Sequence, residues 1–255
     1  FPSISFTHSY YDCTTSVNES DFWDRINEKH NDSSVYIPIF NQENQFTNLM
    51  IYPNFSPSDF TLNIQIFEKD GNMIYEKIDF LEVKHSNAKL IKINFNEILK
   101  ENKLENKFYS ANVFTDFKEN KIPTRLKFGL NVGINGLKSK LPCNICFNTK
   151  MGNPKLENKP GSFHWAPIFK DKNTIITLGN FSTIKKYEKD ANIELNFYRM
   201  KDSNHITKKI ILKAHAEERI QVNEYKDLRE FFSEDGWITI KADNPYIQGY
   251  YFNIL

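Results

Sequence analysis

Three cysteines, a few histidines and some adjacent acids are the side chains whose types and spacing allow chemistry in this sequence. Cys143 and Cys146 stand in a C-x-x-C spacing, which lets two thiolates meet one zinc ion or close as a redox pair. Cys13 lies 130 residues before Cys143, and His8 or His164 would complete a Cys3His ligand set if two halves of the chain paired about a pseudo-two-fold. Against this stands the apolar run Ile145-Cys146-Phe147, which reads as a strand with buried thiols, because cysteine in a core behaves as a small hydrophobe. Beyond the one pair the proposed ligands lack motif spacing, so the expectation is buried thiols with no metal and no cofactor.

A second constellation is aromatic. His164-Trp165 and Tyr250-Tyr251 could form a platform that stacks a sugar or a base, and these four residues are the candidate ligand-binding set. Such residues at a strand end also serve a core, where Trp and Tyr use their polar handle at an edge. Glu217-Glu218 and Glu234-Asp235 read as adjacent acids on exposed turns, and neighbours on a strand face opposite ways, so neither pair suits an acid and base. The sequence contains no G-x-S-x-G, H-E-x-x-H or G-x-x-x-x-G-K motif. No catalytic residue is nominated, and the balance leans away from an enzyme.

Positioning such residues requires a scaffold, and composition indicates its class. With 22 Phe and 12 Tyr in 255 residues, the chain carries large flat side chains that suit strands. Lys and Arg total 33 against 32 for Asp and Glu, so no net field gathers nucleic acid or an anionic membrane. Five of those basic residues are Arg, the type that reads phosphate and guanine through paired hydrogen bonds, and nucleic-acid binding is disfavoured again. No apolar run approaches the roughly 20 residues that a spanning helix requires, so membrane insertion is not expected. An odd number of cysteines does not make a disulfide framework, which favours a reducing, cytoplasmic setting. Phe1 and Leu255 read as ends cut from a longer chain.

From Val35 onward the apolar period is two. Phe60, Leu62, Ile64 and Ile66 alternate with Thr61, Asn63 and Gln65, and Asp70-Gly71 supplies a hairpin turn. Strands are predicted near 35–40, 46–52, 60–67, 73–81, 88–95, 108–115 and 125–132, then near 163–169, 174–180, 191–199, 205–212, 216–222, 236–242 and 246–254. Seven short strands with turns between them read as a sandwich. A short helix follows the fifth strand of each set, capped by Asn96 and by Asn223, and another is predicted where Ser20 precedes Asp21-Phe22-Trp23.

The two sets also align by residue. Pro38 to Pro167, Ile91 to Ile220 and Leu99 to Leu228 are each 129 residues apart, and a constant offset marks a duplicated unit. Asn54-Phe55-Ser56 and Asn180-Phe181-Ser182 match at an offset of 126, a gap that loops absorb. The expected organisation is a lead-in over 1–34, a first β-sandwich over 35–133, a linker or excursion over 134–162 and a second β-sandwich over 163–255. The fold class is all-β, two tandem duplicated antiparallel β-sandwich domains with short helices between strands.

The order of Tyr36-Ile37-Pro38, a strand into Asn-Phe-Ser, an alternating strand and Ile91-Lys92-Ile93-Asn94-Phe95-Asn96-Glu97-Ile98-Leu99 resembles the small sandwich of the sensory rhodopsin transducer family. Trp237-Ile238-Thr239-Ile240-Lys241-Ala242-Asp243-Asn244-Pro245 is similar to that family's late strand and turn. The resemblance covers about 190 residues as two copies. It implies a compact module that binds partners or small ligands without doing chemistry. Tandem duplication and the long linker depart from the family. Function is therefore expected to be non-catalytic binding of a protein partner or a glycan. The alternative is a fragment of a carbohydrate-active enzyme with its site between the two copies.

Overall fold

Side chains alternating between apolar and polar hold most of the described chain extended, and the protein is all-β. The computed structural model describes residues 33–53, 59–104, 107–117, 127–136, 143–148, 150–151, 159–182, 184, 186–202 and 204–254. The helix expected after Ser20, together with His8, Cys13 and Asn54-Phe55-Ser56, lies outside the described residues. The chain divides into one unit of Phe1–Ile66 with Met73–Pro154 and another of Phe67–Asn72 with Lys155–Leu255.

The first unit carries β1 (Ser33–Ile39), β2 (Gln45–Ile51), β3 (Phe60–Glu68, whose last two residues, Phe67 and Glu68, belong to the second unit), β4 (Met73–Val83), β5 (Ile91–Asn94), helix α1 (Phe95–Glu101), β6 (Tyr109–Phe117), β7 (Lys127–Ile134), β8 (Ile145–Asn148) and β9 (Lys150–Met151). Sheet A has the order β4-β3-β6-β1-β9 and sheet B the order β5-β2-β7-β8. Strands β8 and β9 fall within 134–162, the segment expected as a linker or excursion. Asn144 helps to place them: its N–H donates to the Leu130 carbonyl at 3.0 Å, and its Oδ1 accepts from the Val132 N–H at 2.7 Å. Both bonds fasten the start of β8 to β7.

The helix caps differ from expectation as well. Asn94, not Asn96, caps α1, its Oδ1 accepting from the N–H groups of Asn96 and Glu97. Asn96 instead ties the helix to β2, accepting from the Thr47 N–H at 2.8 Å and donating to the Gln45 and Phe40 carbonyls.

The second unit carries β10 (Ser162–Ile168), β11 (Asn173–Asn180), β12 (Ala191–Arg199), β13 (His205–Leu212), β14 (Glu217–Gln221), a 3-10 turn (Val222–Glu224), helix α2 (Lys226–Phe231), β15 (Gly236–Ala242) and β16 (Ile247–Ile254). Asn223 falls within the 3-10 turn, and α2 begins after Tyr225 with no side-chain cap. Sheet C has the order β10-β15-β12-β13 and sheet D the order β14-β11-β16. Counted within each unit, the shared strands run fourth-third-sixth-first in one sheet and fifth-second-seventh in the other.

Between sheets C and D lies one apolar core that includes Ile176, Leu178, Ile193, Leu195, Phe197, Ile220, Leu228, Ile238 and Ile240. Proline positions agree with this layout. Pro167 lies on β10, the edge of sheet C, and Pro38 lies where β1 pairs only with β6, because β9 reaches only Ser33 and Ser34. A residue without an N–H is tolerated at such edges.

Strand β15 ends at Ala242, before Asp243-Asn244-Pro245, and the buried Asn244 organises the turn. Its Oδ1 accepts from the Tyr246 N–H at 2.9 Å, while its amide donates to the Tyr187 hydroxyl at 2.6 Å. That hydroxyl donates to Asn180 Oδ1 at 2.6 Å, and the Asn180 amide donates to the Leu212 and Lys213 carbonyls. Burial pushes the Tyr187 phenol up to about 12, opposed in part by the bond from Asn244. Gly249 permits the return strand, since a Cβ there would meet the Thr177 carbonyl oxygen at 2.7 Å.

His215 abuts this network, with Nε2 3.1 Å from the Tyr187 carbonyl and its ring stacked on Phe67 at 4.8 Å. The carbonyl requires Nε2 to carry the proton, which leaves Nδ1 an acceptor, buried without a hydrogen-bond partner among the described residues. Burial accordingly lowers the His215 pKa from its ordinary 6.5.

Two outcomes are expected. Ile240→Ala, which empties a core position, should cost about 2–5 kcal/mol in chemical denaturation, whereas Thr239→Ala on the wet face should cost about 1 or less. The reverse ranking would mean that the phase of β15 is misassigned. His215 titrates at a lower pH when folded than when unfolded, so its contribution is present above about pH 6.5 and is lost as pH falls from there through the folded value. His215→Asn, which suits the positive φ of 61° at that position, should flatten this part of the urea-midpoint profile; an unchanged slope would assign the loss to other groups.

Candidate functional site

Burying one face of sheet C commits the alternate residues to the other face, and that outer face is where exposed aromatic side chains collect. Register defines its rows. Phe163 lies beside Lys241 and then Glu194 and Lys209. Trp165 lies beside Thr239, Asn196 and Thr207, and Pro167 beside Trp237, Tyr198 and His205. Phe163 is 64% exposed and Trp165 68%, values far from those of a core ring. The Tyr198 ring stacks on Trp237 at 5.4 Å and 11°, and His205 leans on Tyr198 at 5.1 Å.

Two of the polar groups between the rings, Asn196 and Thr207, are held in place. Thr207 Oγ1 donates to Asn196 Oδ1 at 2.6 Å, and the Asn196 amide donates to Glu194 Oε1 at 3.1 Å. Trp165 and Phe163 are about 7 Å apart along β10, as two residues on one strand face must be. Trp165 and Trp237 are diagonal neighbours on adjacent strands, about 7–8 Å apart. The face thus offers flat rings around a middle row of hydroxyl and amide groups.

The candidate ligand-binding residues inferred from sequence do not converge. His164, next to Trp165, faces inward, with Nε2 3.1 Å from the Ile247 carbonyl. Tyr250 is partly buried on the face of sheet D that carries Ile175 and Thr177, and burial raises its pKa. Tyr251 pairs with Ile176 on the opposite face of β16 and is 45% exposed. Only Trp165 joins the aromatic face of sheet C. Its companions Tyr198 and Trp237 are far from it in sequence, and the alternation of β12 and β15 was the signal for their outward direction.

The acid pairs are also relocated. Glu217 is not on an exposed turn: it is buried in β14 and ion-paired with Arg219, while Glu218 meets Lys69 at 3.1 Å. Glu234 and Asp235 do lie in a loop, where they accept main-chain N–H bonds from Lys201 and Lys170. Neither pair is arranged as an acid facing a base.

A second cluster lies in the first unit. Cys143 is buried and Cys146 exposed, with their sulfurs 3.3 Å apart, so the expectation of two buried thiols is met by Cys143 alone. The Tyr52 hydroxyl is 2.8 Å from Cys143 Sγ and 3.7 Å from Cys146 Sγ. Burial first, and then the two cysteines, raise the Tyr52 pKa well above the ordinary phenol value, so its hydroxyl keeps its proton. Gly129 pairs with Cys146 in the sheet and clears the space, since a Cβ there would lie 2.7 Å from Cys143 Sγ and 3.0 Å from the Tyr52 ring. Among the described residues no group of three or more His, Cys, Asp or Glu side chains could hold a metal ion.

Comparison of the chain with protein-family models, with curated proteins and with solved structures found no match.

Gly129→Ala is expected to destabilise the protein by about 1–3 kcal/mol, the usual cost of forcing atoms into a filled site. Equilibrium denaturation checks it. An unchanged midpoint would show that Cys143 and Tyr52 yield freely, and the cluster would then not be close-packed.

Proposed function

We propose that the chain is a non-catalytic tandem of two β-sandwich binding modules related by duplication, and that the second binds a glycan on the outer face of sheet C. The carrying observation is the exposed Trp165 beside the polar row of Thr239, Asn196 and Thr207, with the Tyr198–Trp237 stack on the next row. A sugar presents apolar C–H groups on its ring faces and hydroxyls around its rim, so flat side chains interleaved with amide and hydroxyl groups match it. A protein partner is the weaker fit: the centre of a protein interface is its dry, apolar part, whereas the middle row here is polar in three of its four positions.

The duplication is supported by the common strand order of the two units and by a short helix after the fifth strand of each. The resemblance to the sensory rhodopsin transducer sandwich, a module that binds without chemistry, agrees with the same reading.

Short oligosaccharides of glucose, N-acetylglucosamine and mannose, titrated against the full chain, test the proposal by tryptophan fluorescence. At least one should bind saturably, and Trp165→Ala should weaken it about tenfold or more, or about 1.4 kcal/mol, with the denaturation midpoint unchanged. Equal affinity in Trp165→Ala would remove sheet C from the proposal. Cleavage of the oligosaccharide would replace binding with the carbohydrate-active enzyme reading.

A further inference from the structure

We infer that Cys143 and Cys146 are a reversible dithiol–disulfide pair that exchanges with a small-molecule disulfide of the glutathione type, with Tyr52 positioning the buried thiol. Two observations support it. The sulfurs are 3.3 Å apart, so closing to the roughly 2.05 Å of a disulfide needs side-chain rotation more than strand movement. The two thiols also differ in access, Cys146 being exposed and Cys143 buried.

That asymmetry orders the steps. The Cys146 thiolate attacks one sulfur of the small disulfide, whose S–S bond breaks and releases one thiolate, leaving a mixed disulfide on Cys146. Cys143 then loses its proton to solvent, and its thiolate attacks Cys146 Sγ; the bond to the small molecule breaks and a second thiolate leaves. Two cysteine thiols are oxidised by two electrons, one disulfide is reduced to two thiols, and the two protons pass through solvent to the leaving thiolates. The buried Cys143 thiolate would be costly without a donor, and the Tyr52 hydroxyl is in place 2.8 Å away. Tyr52 is thus a positioning residue. Gly129 keeps the cluster open on the neighbouring strand, and Asn144, between the two cysteines, anchors the turn to β7.

Incubating the full native chain with oxidised glutathione, followed by intact mass spectrometry and peptide mapping, tests the inference. The wild type should lose two hydrogens, map a Cys143–Cys146 bond and keep no glutathione on either residue, and dithiothreitol should restore the thiols. Cys143→Ser should accumulate a stable adduct on Cys146, and Cys146→Ser should leave Cys143 unmodified while the protein is folded. Tyr52→Phe should prolong the mixed disulfide about tenfold, the effect of losing one hydrogen bond to a charged group. A lasting adduct in the wild type, or a native protein whose two thiols are recovered unreacted, overturns the pair and needs no variant to fold. Equal closure rates with and without the Tyr52 hydroxyl overturn the positioning role.

Discussion

Burial of Ile193, Leu195, Phe197, Ile238 and Ile240 against sheet D is the constraint from which the rest of the second unit follows. Each of these side chains lies on β12 or β15, the central strands of sheet C, and successive residues on a strand face opposite ways. Sending them inward sends Glu194, Asn196, Tyr198, Trp237, Thr239 and Lys241 outward. The ring stack of Tyr198 on Trp237 and the polar row beside Trp165 therefore exist because the core is in its register. A one-residue slip of β15 would bury Trp237 and Thr239 and expose two isoleucines, so core stability and the outer surface cannot vary independently.

Polar groups deeper in the same unit serve this register. Asn244 is remote in sequence from Asn180 and Tyr187, but the bonds among the three join the end of β11, the chain before β12 and the turn after β15. Buried amides and hydroxyls are costly unless paired, so the network favours one arrangement of these segments over near alternatives. His215 adds a pH-sensitive element, because its neutral form is the one the buried site accepts.

The first unit uses its close packing differently. Its sheets also carry β8 and β9, and the turn before β8 places two thiols against a tyrosine instead of extending the apolar surface. Gly129 shows how narrow the arrangement is, as one additional carbon on β7 would occupy the volume of Cys143.

Apart from β8 and β9, the positions of the strands were legible in the sequence because a half-buried strand imprints its period of two locally. Ile238 and Ile240 inward with Thr239 and Lys241 outward, the hairpin at Asp70-Gly71 and the stop before Pro245 all came from neighbouring residues alone. The helix caps were misplaced by two residues at Asn94 because Asn94 and Asn96 are both competent caps, and only the bonds of Asn96 to Thr47 and Gln45 separate their roles. Trp165 was identifiable as a candidate, but Tyr250 and Tyr251 were grouped with it by residue type, and the structure puts them on sheet D. Tertiary structure alone decided that Tyr198 lies on Trp237, that Tyr52 meets Cys143 and that Glu217 is buried beside Arg219. Two of these contacts join strands or turns far apart in the chain, and the burial of the third depends on what covers its sheet face. Such choices follow from how the sheets pair and close over their cores, not from any local sequence pattern.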